Sequence, residues 1–186
     1  MRVLTHVCCG PCFTAVNEEL KEAYELTACY ANPNIHPGLE YRRRLLFLRS
    51  FCRAEGVPLL LEDYDPHAYF DSIGDARERP QRCERCYQLR LARVAKRARD
   101  EGFDAFTTTL ILSPYQEHDL LVEVAQEVSR SYDVDFIYRD LRPYFARSVE
   151  LSRARNMYRQ KYCGCLFSEN ERYAKQIAGA SIGDLP

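Results

Sequence analysis

Seven of the nine cysteines in this 186-residue chain fall in three tight groups: Cys8, Cys9 and Cys12; Cys83 and Cys86; Cys163 and Cys165. No other feature constrains the fold as strongly, because groups this far apart act together only if the chain folds them onto one place. Any single cysteine can be a small buried hydrophobe. Three within five residues, joined by a CxxC and a CxC, point to metal or redox chemistry. Cys29 and Cys52 stand alone in apolar stretches and read as core.

The pattern around these groups predicts alternating strands and helices. Val3–Val7 is short, apolar and partly β-branched, as a buried strand is. Cys8–Cys12 is a loop with Gly10 and Pro11, and Pro11 suits the first turn of a helix through Thr14–Tyr24. Leu26–Ala31 reads as a second strand, stopped by Asn32-Pro33-Asn34. Leu39–Glu55 has helical spacing up to Gly56, and Val57–Leu61 is a third strand. Pro66–Phe70 and Ser72–Pro80 read as an irregular connection. Cys83–Glu101 is an arginine-rich helix closed by Gly102, and Phe103–Leu112 a threonine-rich fourth strand. His118–Ser129 is a helix and Val134–Tyr138 a fifth strand. The tail from Ser148 to Ala178 is mostly helical, interrupted near Cys163–Cys165. The expected fold is therefore α/β, a doubly wound, mainly parallel sheet of Rossmann-like or HUP-like type. One domain spans 1–186, with 148–186 a helical C-terminal extension carrying the CxC. Ligands of such sheets gather beyond the carboxyl ends of the strands, where Cys8 falls.

The chemistry follows from the donor count. A helix start after Cys8–Cys12 favours thiolates. Cys83 and Cys86 share one helix face at their spacing of three. Cys163-Gly164-Cys165 suits either metal ligation or a strained, cycling disulfide. Seven thiols exceed the four ligands of a tetrahedral zinc, whereas four suit a [4Fe–4S] cluster and leave three for a second metal or redox couple. Tyr30, Asn32, His36 and Tyr41 after the second strand, and Ser113 after the fourth, are candidate substrate contacts, although Asn-Pro and Ser-Pro are also ordinary turn chemistry.

Charge and targeting narrow the setting. The formal net charge of −1 argues against non-specific nucleic-acid binding. Charge is nonetheless segregated: Arg77–Arg99 has nine basic residues against two acidic, and Arg139–Lys161 seven against two. Both stretches adjoin cysteine pairs and could steer an anionic partner there. No run approaches the roughly 18 apolar residues of a membrane span. Met1–Val7 leads straight into cysteines without a signal-peptide pattern, so the expected location is the cytoplasm.

Several motifs, in order along nearly the whole chain, resemble the QueH-type epoxyqueuosine reductases. They are His6-Val7-Cys8-Cys9-Gly10-Pro11-Cys12; Asn32-Pro33-Asn34-Ile35-His36-Pro37 with Glu40-Tyr41; Arg82-Cys83-Glu84-Arg85-Cys86-Tyr87 with Arg90-Leu91; Thr108-Thr109-Leu110 with Ser113-Pro114; and Tyr158-Arg159-Gln160-Lys161-Tyr162-Cys163-Gly164-Cys165. The resemblance implies cobalamin-independent reduction of epoxyqueuosine to queuosine in the tRNA anticodon loop. Its implied partners are a tRNA anticodon stem-loop and an electron donor. It also implies a [4Fe–4S] cluster on Cys8, Cys9, Cys83 and Cys86. By the same resemblance, Cys163 and Cys165 form a redox disulfide or ligate an adjacent mononuclear iron, and with Cys12 they complete the catalytic set. Cys12 stands where some family members carry aspartate, and either side chain can ligate iron.

Two other readings use the same residues. An ATP-dependent, thiolase-like tRNA-modifying iron–sulfur enzyme would keep the fold, but it calls for a Gly/Ser-rich phosphate loop where this chain has Cys8–Cys12. A zinc-stapled RNA-binding module would use the arginines and four cysteines and leave three idle.

Overall fold

The computed structural model describes residues 1–179. Five strands form one parallel sheet: β1 (Arg2–His6), β2 (Glu25–Tyr30), β3 (Leu59–Leu61), β4 (Ala105–Thr108) and β5 (Asp135–Phe136), in the order β3-β2-β1-β4-β5. Val3, Leu4, Thr5 and His6 of the central strand are wholly inaccessible to solvent, as expected for a strand covered by helices on both faces. The register sets Val3 opposite Leu26 and Ala105, and His6 opposite Cys29 and Thr108. Strand order reverses direction between β1 and β4. The gap beyond their carboxyl ends is therefore the topological switch point, where such sheets bind ligands.

The helices are α1 (Gly10–Leu20), α2 (Gly38–Glu55), α3 (Pro66–Ile73), α4 (Gln81–Asp100), α5 (His118–Tyr132), α6 (Phe145–Ala154) and α7 (Leu166–Gly179). Pro11 sits in the first turn of α1. Gly56, at φ +70°, closes α2 in the left-handed conformation that glycine adopts without strain. Among the described residues no helix is long and apolar enough to cross a membrane.

Some elements differ from the sequence reading. The supposedly irregular connection holds α3, because Asp65 caps it, accepting from the His67 and Ala68 backbone N–H groups at 3.0 and 3.3 Å, with Pro66 in its first turn. The fourth strand stops at Thr108 and does not run to Leu112. Thr108 Oγ1 accepts from the Leu110 N–H at 3.2 Å and folds Thr109–Leu112 into a 3₁₀ turn. The fifth strand shrinks to two residues. The break in the tail is wider than expected: α6 ends at Ala154 and α7 begins at Leu166, so Cys163 and Cys165 lie in an extended crossing segment.

Candidate metal centre

The chain leaves β1 at His6 and turns into α1 through Cys8 and Cys9. Cys9 is the residue before the helix, in extended conformation, and Cys12 lies in the first turn. This turn brings the sulfurs of Cys8, Cys9 and Cys12 within 4.8 Å of one another, all three buried. Partners come from distant segments. Thr109 Oγ1, in the turn after β4, accepts from the Cys8 N–H at 3.2 Å and lies 3.5 Å from its sulfur. Gln160 Nε2 donates to Cys9 Sγ at 2.8 Å. Within the trio the Cys8 thiol is held well below the usual range, first by hydrogen bonding with Cys12 and then with Cys9, while the bonds Cys12 makes to Cys8 and Cys9 push Cys12 up. One thiolate shared among three sulfurs at a helix N-terminus is a ready cation site.

The other four grouped thiols face one another elsewhere. Cys83 and Cys86, one turn apart at the start of α4, line a cavity of about 50 Å³ with Cys163 and Cys165 of the crossing segment. Burial pushes Cys83 up to about 11 and Cys86 up to about 12, and raises Cys163 as well. Burial thus keeps Cys83, Cys86 and Cys163 neutral until a positive charge joins them, and a metal ion supplies such a charge. Their number and softness fit zinc or an iron–sulfur cluster. All nine cysteines are free thiols.

The crossing segment is held from α2. Buried Arg44 donates to the Cys163 carbonyl at 2.8 Å and the Tyr162 carbonyl at 3.2 Å. It is oriented by Glu40 at 2.7 Å, which also accepts from the Tyr158 hydroxyl at 2.8 Å. The loop after β2 adds the His36 N–H to the Gly164 carbonyl at 2.8 Å and the Tyr162 hydroxyl to the His36 carbonyl at 2.7 Å.

Arg90 joins the two thiol groups. It is 1 % exposed, lies 3.9 Å from Cys86 Sγ, and donates to Asn32 Oδ1 at 2.7 Å. Its charge acts on Cys8, Cys86 and Cys163 together. The ligand set implied by the resemblance is thus shared between the groups, Cys8 and Cys9 in the trio and Cys83 and Cys86 in the cavity. Cys12 belongs to the trio, and Cys163 and Cys165 to the cavity.

None of the five candidate substrate residues lines that cavity. Tyr30 is buried with its hydroxyl on the Tyr41 carbonyl at 3.0 Å, and Tyr41 stacks on Tyr64 at 4.1 Å. Asn32 donates to the Val7 carbonyl and holds Arg90. His36 stacks on Phe70 at 5.0 Å, and Ser113 Oγ accepts from the Tyr115 N–H in a turn. The cavity wall instead carries Asn34, Tyr69 and Gln116, with Gln116 Nε2 3.7 Å from Cys163 Sγ. Of the residues the sequence left without a role, Arg90 had a usable signal. It lies four residues beyond Cys86, on the same helix face.

The basic stretches are not free rails for phosphate. Arg79 pairs with Glu117 at 2.8 Å, Arg82 with Glu171 at 2.6 Å and Arg97 with Glu62 at 2.8 Å. In the second stretch Arg139 pairs with Glu19 and Arg147 with Glu18. Folding brings distant acids onto segments that look strongly basic in sequence.

The sequence profile of the family described as epoxyqueuosine reductase QueH matches residues 3–171. An epoxyqueuosine reductase QueH from Staphylococcus aureus is 34 % identical over 180 residues, covering 90 % of this chain and 75 % of the relative. That from Dehalococcoides mccartyi is 33 % identical over 177 residues, covering 94 % and 96 %. That from Thermotoga maritima is 30 % identical over 181 residues, covering 93 % of each. A crystal structure of a predicted subunit of tRNA methyltransferase from Methanocaldococcus jannaschii shares the fold alone, with TM-score 0.53 and 11 % identity over 84 % of this chain and 89 % of that one. With all seven grouped cysteines inside the matched span, this chain belongs to the epoxyqueuosine reductase QueH family.

Proposed function

We propose that this protein reduces epoxyqueuosine to queuosine in the anticodon loop of tRNA, in the cytoplasm and without cobalamin, using iron held by its grouped thiols. The observation that carries the reading is that the seven grouped cysteines gather into a trio at the switch point and a cavity of four, with the charge of buried Arg90 acting on both. Cys8, Cys9, Cys83 and Cys86 would hold a [4Fe–4S] cluster, and Cys12, Cys163 and Cys165 would serve an adjacent iron, or the last two a redox disulfide. When bound, such groups supply single electrons and a Lewis acid.

The net change consumes two electrons and two protons. The two epoxide C–O bonds break, oxygen leaves as water, and a carbon–carbon double bond remains. The chain's part is to hold and shield the reacting centre. Arg90 offsets the negative charge that thiolates accumulate, and Gln160 and Thr109 fix the trio. The cavity of about 50 Å³ is far below the roughly 300 Å³ of a small-molecule pocket. It suits an inorganic group, and the modified base would approach from outside it. An ATP site is poorly served here. A Cβ on Gly10 would lie 2.5 Å from Met157 Cε and 3.3 Å from the Leu48 backbone nitrogen, so protein covers the start of α1.

The test is anaerobic reconstitution followed by assay on tRNA bearing epoxyqueuosine. A brown protein absorbing near 400 nm that forms queuosine supports the reading; Cys83→Ala should lose both chromophore and turnover, and Cys165→Ala should lose turnover. Full turnover by a colourless, zinc-only protein would refute it.

A further inference from the structure

Only one of the seven grouped cysteines opens to the surface. Cys8, Cys9, Cys12, Cys86 and Cys165 are buried and Cys83 is half-buried, whereas Cys163 is exposed. Protein crowds its sulfur on the inner side, which is why burial still raises the thiol. Cys163 therefore stands on the lip of the four-thiol cavity. The cavity itself is too small for a small-molecule ligand, so a base carried on RNA has to stop at that lip.

The same lip carries Tyr115. It follows β4 and the 3₁₀ turn after it, at the switch point, and borders the cavity together with Arg79, Gln116 and Cys163. Its 72 % exposure far exceeds the 45 % of Tyr138 and the 38 % of Phe70, the other large exposed aromatics among the described residues. A lone exposed ring is ordinary, but this one is held in place. It packs edge-to-face with Phe145, centroids 5.7 Å apart and planes at 84°, which leaves at least one face of Tyr115 open. Its N–H donates to Ser113 Oγ at 3.3 Å, and its carbonyl accepts from Arg79 Nη2 at 3.1 Å. The next residue ties the loop to both α4 and the crossing segment. Gln116 Oε1 accepts from the Tyr87 hydroxyl at 3.0 Å, and Nε2 lies 3.7 Å from Cys163 Sγ. A ring ordered in advance loses little freedom when a ligand covers it.

Resting on the reductase reading above, we propose that Tyr115 is the stacking platform for the target base, holding it at the lip where Cys163 is exposed. RNA bases splayed out of their stack are taken up by aromatic faces in this way. Stacking needs no hydrogen-bond readout, because every base has a π face. Tyr115 binds substrate and carries no electrons. The candidates Tyr30, Asn32, His36, Tyr41 and Ser113 do not line the lip.

The experiment measures binding and turnover of tRNA bearing epoxyqueuosine by the anaerobically reconstituted full chain, with dithionite as electron source and iron measured on every sample. Tyr115→Phe and Tyr115→Leu both keep an apolar contact for Phe145 and leave the backbone bonds in place, but only phenylalanine keeps a π face. The leucine variant is expected to bind about tenfold more weakly than the phenylalanine variant, ~1.4 kcal/mol, at equal iron content and with the loss falling mainly on KM. Because dithionite supplies the electrons, a lost contact with a donor protein cannot account for the difference. A second readout needs no turnover. The chain has no tryptophan, so Tyr115→Trp adds a single indole, whose fluorescence should be quenched as the tRNA is titrated. Equal affinity of the leucine and phenylalanine variants, iron lost in step with binding, or indole emission unmoved by saturating tRNA would overturn the stacking role and leave the reductase reading intact. A wild-type chain that neither binds nor reduces this tRNA would overturn that reading, and this proposal with it.

Discussion

Arg44→Met separates two jobs that one side chain performs. Arg44 forms a buried ion pair with Glu40 at 2.7 Å and donates to the Cys163 and Tyr162 carbonyls at 2.8 and 3.2 Å. Methionine fills similar space without charge or donors. Removing one partner of a buried pair costs about 3–5 kcal/mol, largely because the other charge stays behind. For a chain of this size that is a fall in midpoint temperature of roughly 6–20 °C. Glu40 retains the Tyr158 hydroxyl in the variant, so the loss should lie near the lower end. In the double variant Arg44→Met/Glu40→Gln the stranded charge is gone, and about 2 kcal/mol should return. The carbonyls of the crossing segment regain nothing, so amides of residues 158–165 should exchange with solvent faster in both variants, and both should bind less iron. The assays are denaturant unfolding, hydrogen exchange and iron content. Equal stability of the single and double variants, or wild-type exchange in the crossing segment, would refute the division.

Gly164→Ala places a methyl 3.0 Å from Ile35 and 3.3 Å from both Asn34 and Arg44, in a backbone conformation that L side chains rarely adopt. It should cost about 1–3 kcal/mol and lower the iron taken up per chain on anaerobic reconstitution. Gly10→Ala meets the flexible end of Met157 at 2.5 Å, which can swing aside, and the Leu48 backbone nitrogen at 3.3 Å, which cannot, so it should cost about 1 kcal/mol in thermal unfolding and Met157→Ala should recover little of it. His6 is buried and its pKa is lowered to about 3, first by desolvation and then by Arg90. The native state refuses a proton that the unfolded chain accepts below about 6.5, so stability falls as pH drops from there toward 3. At pH 5 the penalty is ~2 kcal/mol. In metal-free, reduced protein, His6→Gln should flatten the fall in denaturant midpoint between pH 7.5 and pH 5. An unchanged slope would show that His6 does not carry it.

Much of the fold was legible because the local rules agree. Val3–Val7 and Leu26–Ala31 are mainly apolar runs, as doubly covered parallel strands must be, and the end of the first strand at Cys8 already marks the ligand-binding edge of the sheet. Helix α3 was missed although Asp65-Pro66 is a cap followed by a first-turn proline. The fourth strand was drawn too long because its threonines favour strands, whereas the Thr108 hydroxyl competes for its own backbone.

The sequence determined which atoms of the candidate site matter. Soft sulfur donors in three groups, one after the first strand and one at a helix start, restrict the chemistry whatever the packing. Tertiary structure decided how the seven divide. Cys163 and Cys165 lie in a segment without periodicity, and its position rests on Arg44 and Glu40, far away in the chain. Asn34 and not Asn32 lines the cavity for a related reason. In an irregular loop, side-chain direction follows from backbone angles and from neighbours such as Arg90 and Gly164. Residue type and spacing express local energies, whereas buried polar contacts between distant segments exist only once the chain has closed around them.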